Sequence, residues 1–347
     1  MELLECAAYL RAHDNYLLVT HQRPDGDTLG SASALCRALR RLGKTAHLYK
    51  NEETTETFLP LVAPYFAPEG FVPDVCVSVD VAERKLLAHG FTGEIDLKLD
   101  HHVVRGEQPE HSVVWTHSAA CGELVLALIE LLLGTPDKEE ADLLYIAVST
   151  DTGCFCYANT NSDTFRAAAR LFDAGAELPR LNKLLFRTKT PERLALEGMV
   201  FSSLRSYRDH AINVAVITLD MLRRSGVTED DCSDLASLAG QVRGNRVSMT
   251  VRELSADPPC CKVSLRTDGG VDASQVCALF GGGGSELLFD VIDYLIERCV
   301  IDIVADADGV FLFGVSVLFA AGGEAGNCEH KCEYKCNYLF HCISSFR

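Results

Sequence analysis

Short apolar runs and longer helical repeats alternate along the first half of this chain. Residues 16–19 form a continuous apolar run and 75–79 a largely apolar one, and both read as short buried strands, with a further strand at 95–99. Another short strand is expected at 47–49. Apolar positions recur at helical spacing over 2–13, 29–42, 119–132, 138–149 and 164–174, and Gly175 ends the last of these helices. Between 51 and 66 the pattern is mixed, and Pro60, Pro64 and Pro68 break the region into short pieces. Residues 83–89 read as a short helix or turn. Strands alternating with helices predict an α/β fold with a parallel sheet.

The text changes after Ala211. Strands are expected at 212–219, 246–253 and 261–265, and helices at 231–239 and 271–280. This predicts a second, smaller α/β domain, joined to the first by one or two helices within 180–204. The expected organisation is a first domain over 1–185, a helical linker over 186–208, a second domain over 209–284 and an atypical tail over 285–347.

The polar residues that interrupt this pattern fall at strand and helix ends. His21, Asp25 and Asp27 follow the strand at 16–19, with Pro24 and Gly26 forcing a tight turn and a helix starting near Asp27. Asp80 ends the strand at 75–79, Asp100-His101-His102 end that at 95–99, and Asp151 ends a helix or short strand. Each residue alone has an ordinary reading as a cap, a turn or a satisfied imidazole. A parallel sheet, however, brings its strand ends to one edge, where ligands bind. Together His21, Asp25, Asp27, Asp80, His101 and Asp151 form a mixed oxygen and nitrogen donor set. Such a set suits Mn²⁺, with Mg²⁺, Zn²⁺ and Co²⁺ as alternatives. One division places His21 and Asp25 on one ion and Asp27, His101 and Asp151 on another, with Asp80 bridging. A bridged pair about 3.5–4 Å apart can activate a hydroxide and hold a phosphoryl group in line.

Composition narrows the class. The length of 347 residues fits two domains, and 48% apolar residues suffice for folded cores. A formal charge of -17 argues against a broad cationic surface for long duplex nucleic acid, while leaving room for a small phosphorylated substrate. No basic segment leads into an apolar core at the N-terminus, and the apolar stretch 310–321 is too short to span a bilayer. A cytoplasmic protein with no membrane partner is expected. Of fifteen cysteines, ten lie between Cys6 and Cys277 and read as free thiols. Five more, from Cys299 to Cys342, crowd the tail in a spacing that matches no strong zinc pattern.

Four blocks occur in order: THQRPDGDTLGS at 20–31, VSVDVAE at 77–83, LKLDHHV at 97–103 and STDTGCF at 149–155. With them the sequence resembles the DHH/DHHA1 phosphoesterase family, particularly its short members that act as oligoribonuclease and adenosine 3',5'-bisphosphate phosphatase. HSAACGE at 117–123 resembles the family's serine-containing segment, and CKVSLRTDGGVDAS at 261–274 with FGGGG at 280–284 resembles its C-terminal substrate domain. The resemblance implies two divalent ions, Mn²⁺ foremost, held by the six residues named above, and hydrolysis by attack of an activated hydroxide on phosphorus. It implies that Asp100 orients a ligand and that His102 binds phosphate or donates a proton. It further implies that Arg266 and the backbone of Gly281, Gly282, Gly283 and Gly284 hold substrate phosphate. A homodimer is left open.

The family continues its glycine run with histidine, where this chain has Ser285 and then an unrelated tail. A frame change at the glycine-coding run would explain so abrupt a loss. The leading expectation is a manganese-dependent phosphoesterase acting on short oligoribonucleotides and adenosine 3',5'-bisphosphate. A cyclic or linear dinucleotide phosphodiesterase, a pyrophosphatase of the same superfamily, and a catalytically impaired metal-binding interaction protein are the alternatives.

Overall fold

The computed structural model describes residues 1–316, apart from 105, 107, 228–231, 233, 257–258, 268–271, 280–285, 290–299 and 306–310. The chain divides into two compact units, Met1–Lys189 and Thr190–Arg347. The protein is mixed α/β, with a parallel sheet in the first unit and a smaller α/β sheet in the second.

The first unit runs α1 (Leu3–Ala12), β1 (Tyr16–Val19), α2 (Gly26–Arg41), β2 (Ala46–Leu48), α3 (Leu59–Val62), β3 (Val75–Val79), β4 (Leu97–Asp100), β5 (His111–Val114), α4 (Cys121–Leu133), α5 (Lys138–Asp151), α6 (Ser162–Asp173) and α7 (Leu178–Asn182). Its sheet has the order β2-β1-β3-β4-β5 with every pair parallel. Both faces are covered, which is why β1, β3 and β4 are buried at every position. One face, through Tyr16, Leu18, Val77 and Leu99, packs on the helices. The other, through Leu17, Val19 and Cys76, packs under the segments that carry Val81, Leu87 and Phe91. The strand order reverses between β1 and β3, so the crevice of this sheet opens beyond their carboxyl ends.

Three glycines set how closely the helices meet. A methyl group on Gly30 would lie inside van der Waals contact of the Leu143 carbonyl oxygen, and one on Gly26 would overlap the Thr150 side chain. A methyl on Gly122 would sit 2.7 Å from Ala147 Cβ. Thus α2 and α4 rest on α5 through missing side chains. Gly30→Ala gains up to about 1 kcal/mol of helix propensity. It is nevertheless expected to destabilise, because overpacking against a backbone carbonyl costs about 1–3 kcal/mol. Gly198→Ala, at an open helix position, should instead stabilise. Denaturant unfolding of both variants checks the contrast.

The second unit holds α8 (Pro191–Ser203), β6 (Arg205–Tyr207), β7 (Ile212–Ile217), α9 (Leu219–Ser225), β8 (Val247–Ala256), β9 (Pro259–Thr267), α10 (Ala273–Leu279), β10 (Glu286–Phe289) and the antiparallel pair β11 (Val300–Ala305) and β12 (Phe311–Ser316). Its main sheet is mixed, in the order β10-β9-β8-β7-β6. The segment expected as a linker contains α8, whose Leu196 and Val200 pack with Ala215 and Ile217 in this unit's core. The helix expected at 231–239 is a 3-10 segment, Leu235–Gln241. The edge strand β5 was absent from the sequence pattern, since only Val113 of its four residues is buried.

The ten cysteines within the described residues are free thiols. No helix among the described residues is long and apolar enough to cross a membrane.

Candidate metal centre

The turn after β1 places three side chains at the crevice. Asp25 caps α2, its Oδ1 accepting from the amides of Asp27 at 3.0 Å and Thr28 at 3.1 Å. Asp25 is therefore both the helix cap that an isolated aspartate suggests and a member of the polar cluster, with His21 Nε2 3.6 Å away. The His21 ring donates from Nδ1 to the Gln22 carbonyl at 2.7 Å, which leaves Nε2 as the lone-pair nitrogen facing the carboxylates.

Asp27 is buried and oriented from three sides. Its Oδ2 accepts from the Cys121 amide at 2.6 Å, and its Oδ1 accepts from the Gly122 amide at 3.0 Å and the Ser31 hydroxyl at 2.9 Å. The start of α4 thus fixes a carboxylate that belongs to α2. Ser31, Cys121 and Gly122 lie in the blocks THQRPDGDTLGS and HSAACGE, but the sequence assigned them no role toward Asp27. Two of the three donors are backbone amides, which carry no residue signature; the third is the Ser31 hydroxyl.

Asp80 stands directly after β3 with φ +58°, a left-handed conformation rarely adopted by residues other than glycine, asparagine and aspartate. Its amide donates to the Leu99 carbonyl at 2.8 Å, and the Thr28 hydroxyl donates to the Val79 carbonyl at 2.7 Å, so both sides of the turn are held. The side chain is only 3% exposed and Oδ1 has no hydrogen-bond partner. A buried carboxylate oxygen without a donor fits a cation ligand. Its oxygens face different imidazoles: Oδ1 is 3.4 Å from His101 Nε2, and Oδ2 is 3.9 Å from His21 Nε2.

His101 donates from Nδ1 to the Ser118 carbonyl at 3.1 Å, again leaving Nε2 toward the cluster, 3.8 Å from Asp27 and 3.5 Å from Asp151. Asp151 lies in the last turn of α5. Ligand atoms of His21, Asp25 and Asp80 lie within 4.8 Å of one another, as do those of Asp27, His101 and Asp151. Asp80, His101 and His102 meet the same spacing. The structure therefore brings all six candidate ligands to one edge, in two groups with Asp80 between them.

Asp100 and His102 form a pair beside the groups. Asp100 Oδ1 accepts from His102 Nδ1 at 2.8 Å and from the amides of His101 at 2.8 Å and His102 at 3.2 Å. Its carboxylate thus orients the ring of His102, while the His101 ring is oriented by Ser118. The His102 ring is 47% exposed and its Nε2 is left for a ligand.

The charges are mutually strained without cations. Burial, then the charges of Asp151 and Asp25, push Asp27 well above the usual carboxyl range, and burial with the charges of Asp27 and Asp25 does the same to Asp80. Burial raises Asp151. Burial also opposes the Asp100 carboxylate, but bonds from His102 and Lys98 hold it down to about 2. The bond to Asp100 raises His102. Desolvation works against protonation of His21, yet Asp25 raises it on balance. This surplus of buried negative charge is what divalent cations neutralise, and the neutral Nε2 atoms complete a mixed donor set.

Arg266 lies on β9 in the second unit, exposed and bonded to the Leu265 carbonyl at 3.1 Å. Gly281, Gly282, Gly283, Gly284 and Ser285 lie outside the described residues.

Residues 15–148 match the DHH family, N-terminal domain. The chain is 32% identical over 270 residues to the bifunctional oligoribonuclease and PAP phosphatase NrnA of Thermus thermophilus, covering 77% of this chain and 80% of that protein. It is 25% identical to the Bacillus subtilis protein of the same name, over 79% of this chain and 88% of the relative. Among solved structures, an exopolyphosphatase-related protein from Bacteroides fragilis shares the fold with a TM-score of 0.72 at 21% identity, covering 82% of this chain and 88% of that one.

Proposed function

The chain belongs to the DHH family of phosphoesterases, and from that premise we propose that it hydrolyses short oligoribonucleotides and adenosine 3',5'-bisphosphate with manganese as its metal. The observation that carries this reading is buried Asp80, which belongs to the group of His21 and Asp25 and has Oδ1 3.4 Å from Nε2 of His101 in the group of Asp27 and Asp151. His21 and Asp25 would hold one ion and Asp27, His101 and Asp151 the other, with Asp80 placed to serve both. Two divalent ions there would supply an activated water and neutralise charge on the nonbridging phosphoryl oxygens. The remaining work belongs to side chains. His102, fixed by Asp100 with Nε2 outward, binds phosphate or gives a proton to the departing oxygen. In the second unit Arg266, whose planar fork suits phosphate oxygens, is proposed to bind substrate phosphate, as the resemblance implies for it and for Gly281–Gly284. The small donor cluster and the acidic chain favour a short nucleotide over a long duplex.

The test is hydrolysis, by Mn²⁺-loaded protein, of a diribonucleotide, adenosine 3',5'-bisphosphate, linear pGpG, a cyclic dinucleotide and pyrophosphate. Turnover of the first two above the rest is expected. Preference for the dinucleotides or pyrophosphate would reassign the substrate. No turnover of any by folded, metal-loaded protein would overturn the enzymatic reading.

A further inference from the structure

Lys98 is a charged residue in the middle of a buried strand. It stands on β4 in register with Ser78 of β3, and its side chain is only 5% exposed. A buried ammonium is costly unless it is paired. Its nitrogen has two partners that belong to different segments of the centre. It forms an ion pair with Asp100 Oδ2 at 3.0 Å, and it donates to the carbonyl of Ala82 at 2.9 Å.

Those partners are the two least ordinary pieces of the site. Asp100 is the carboxylate that fixes the His102 ring. Ala82 is two residues beyond Asp80, whose backbone is left-handed, on the segment that leaves β3. The other Asp100 oxygen, Oδ1, is already committed to His102 and two amides. Oδ2 accepts no well-aligned hydrogen bond, and the Lys98 ammonium 3.0 Å away is its charge partner.

We propose that Lys98 is a positioning residue of the centre, one ammonium that ties the Asp80 turn to Asp100 and so sets where His102 Nε2 and the Asp80 oxygens point. The polar partners of Lys98 are Asp100 and the Ala82 carbonyl, neither of them among the six donor residues. It acts through Asp100 and the Ala82 carbonyl. In its effect on turnover the assignment rests on the phosphoesterase reading above, but the arrangement itself can be read without activity.

A cleft of about 630 Å³ gives the test its handle. Lys98, Ser78, Ala82, Arg84 and Lys85 are among its lining residues. Truncating Lys98 leaves a hole at its wall, which a small amine can enter. In Lys98→Met, which keeps the stem and removes the charge, kcat should fall about 10–100-fold. KM should stay within about twofold and both metal ions should be retained, since the ligands are untouched. Lys98→Ala should lose kcat similarly and regain it saturably with methylammonium. Tetramethylammonium at equal ionic strength has no N–H to donate and should restore nothing. Lys85→Met, on the same cleft wall but paired with Glu83, should behave as wild type.

A second readout does not use turnover. In Mg²⁺-loaded protein the His102 ring N–H bonded to Asp100 should give a low-field proton signal, assigned by its loss in His102→Gln. It should shift or vanish in Lys98→Met and return in Lys98→Ala with methylammonium. If wild type hydrolyses nothing, the functional reading fails while this signal still decides the role of Lys98. Wild-type kcat in Lys98→Met, equal rescue by tetramethylammonium, or an unmoved His102 signal would each overturn the proposal. If Lys98→Met does not fold, the Lys98→Ala rescue decides.

Discussion

Asp80→Asn is expected to lower kcat by roughly 10³-fold, the scale seen when a single transition-state contact is removed, while stabilising the metal-free protein. Both effects arise from the same atom. Asp80 Oδ1 stands 3.4 Å from His101 Nε2 and Oδ2 3.9 Å from His21 Nε2, so under the proposed assignment losing its charge would weaken the hold on both ions. Without ions, that charge is buried, its Oδ1 has no donor, and burial with neighbouring carboxylates pushes its proton affinity up. An amide removes the repulsion, so unfolding of the chelated protein should become harder by about 1–3 kcal/mol. Asparagine is the right probe because it tolerates the left-handed backbone at this position, as alanine does not. The measurements are turnover of a diribonucleotide, bound metal per chain, and thermal melting in chelator. Full activity with two ions retained would show that Asp80 is not the bridge.

The stability gained from Mn²⁺ is expected to grow with pH. Asp27, Asp80 and Asp151 have raised proton affinities in the folded, metal-free chain. A carboxyl shifted in that direction contributes stability below its unfolded pKa of about 4, and that contribution is lost as pH rises through the folded value. His21 and His102 are raised as well, so their contribution is complete below about 6.5 and is lost as pH climbs through their folded values. All five run the same way. Asp100, held near 2, loses its contribution only in strong acid. The Tm of chelated protein should therefore fall steadily from pH 5 to pH 8. Metal binding needs deprotonated ligands and strengthens over the same range. At a hundred times its dissociation constant an ion adds about 2.7 kcal/mol. The gap between Mn²⁺-loaded and chelated melting curves should widen with pH, and a constant or shrinking gap would contradict this account of the cluster.

The six donor residues were legible because each follows a strong local signal. An apolar strand or helix stops, and an aspartate or histidine stands at the stop. Parallel pairing of β1, β3 and β4 then makes distant stops neighbours. What was not legible is what aims these groups. The amides of Cys121 and Gly122 on Asp27, and the carbonyls of Gln22 and Ser118 on the two histidines, are backbone atoms placed by tertiary packing. Lys98 did leave a trace, a charge at an inward strand position, but an edge strand would explain such a residue equally well. Only the register shows that β4 lies between β3 and β5. The edge strand β5 was missed for the opposite reason, because so little of it is buried.

The close seating of α2 and α4 on α5 has a consequence for mutational tolerance. Gly26 lies between two of the candidate ligands, and the Thr150 side chain it accommodates precedes a third. Gly30 and Gly122 hold the same helices at the same separation. None of these glycines carries a reactive atom. In an activity scan across the chain they would nevertheless score like ligands, since a single added methyl moves carboxylates that need ångström placement. Read by activity alone, such a map would extend the apparent catalytic apparatus into the helix core. A parallel scan of folding stability separates the two groups: glycine variants fail both, while ligand variants such as Asp80→Asn fail only the first.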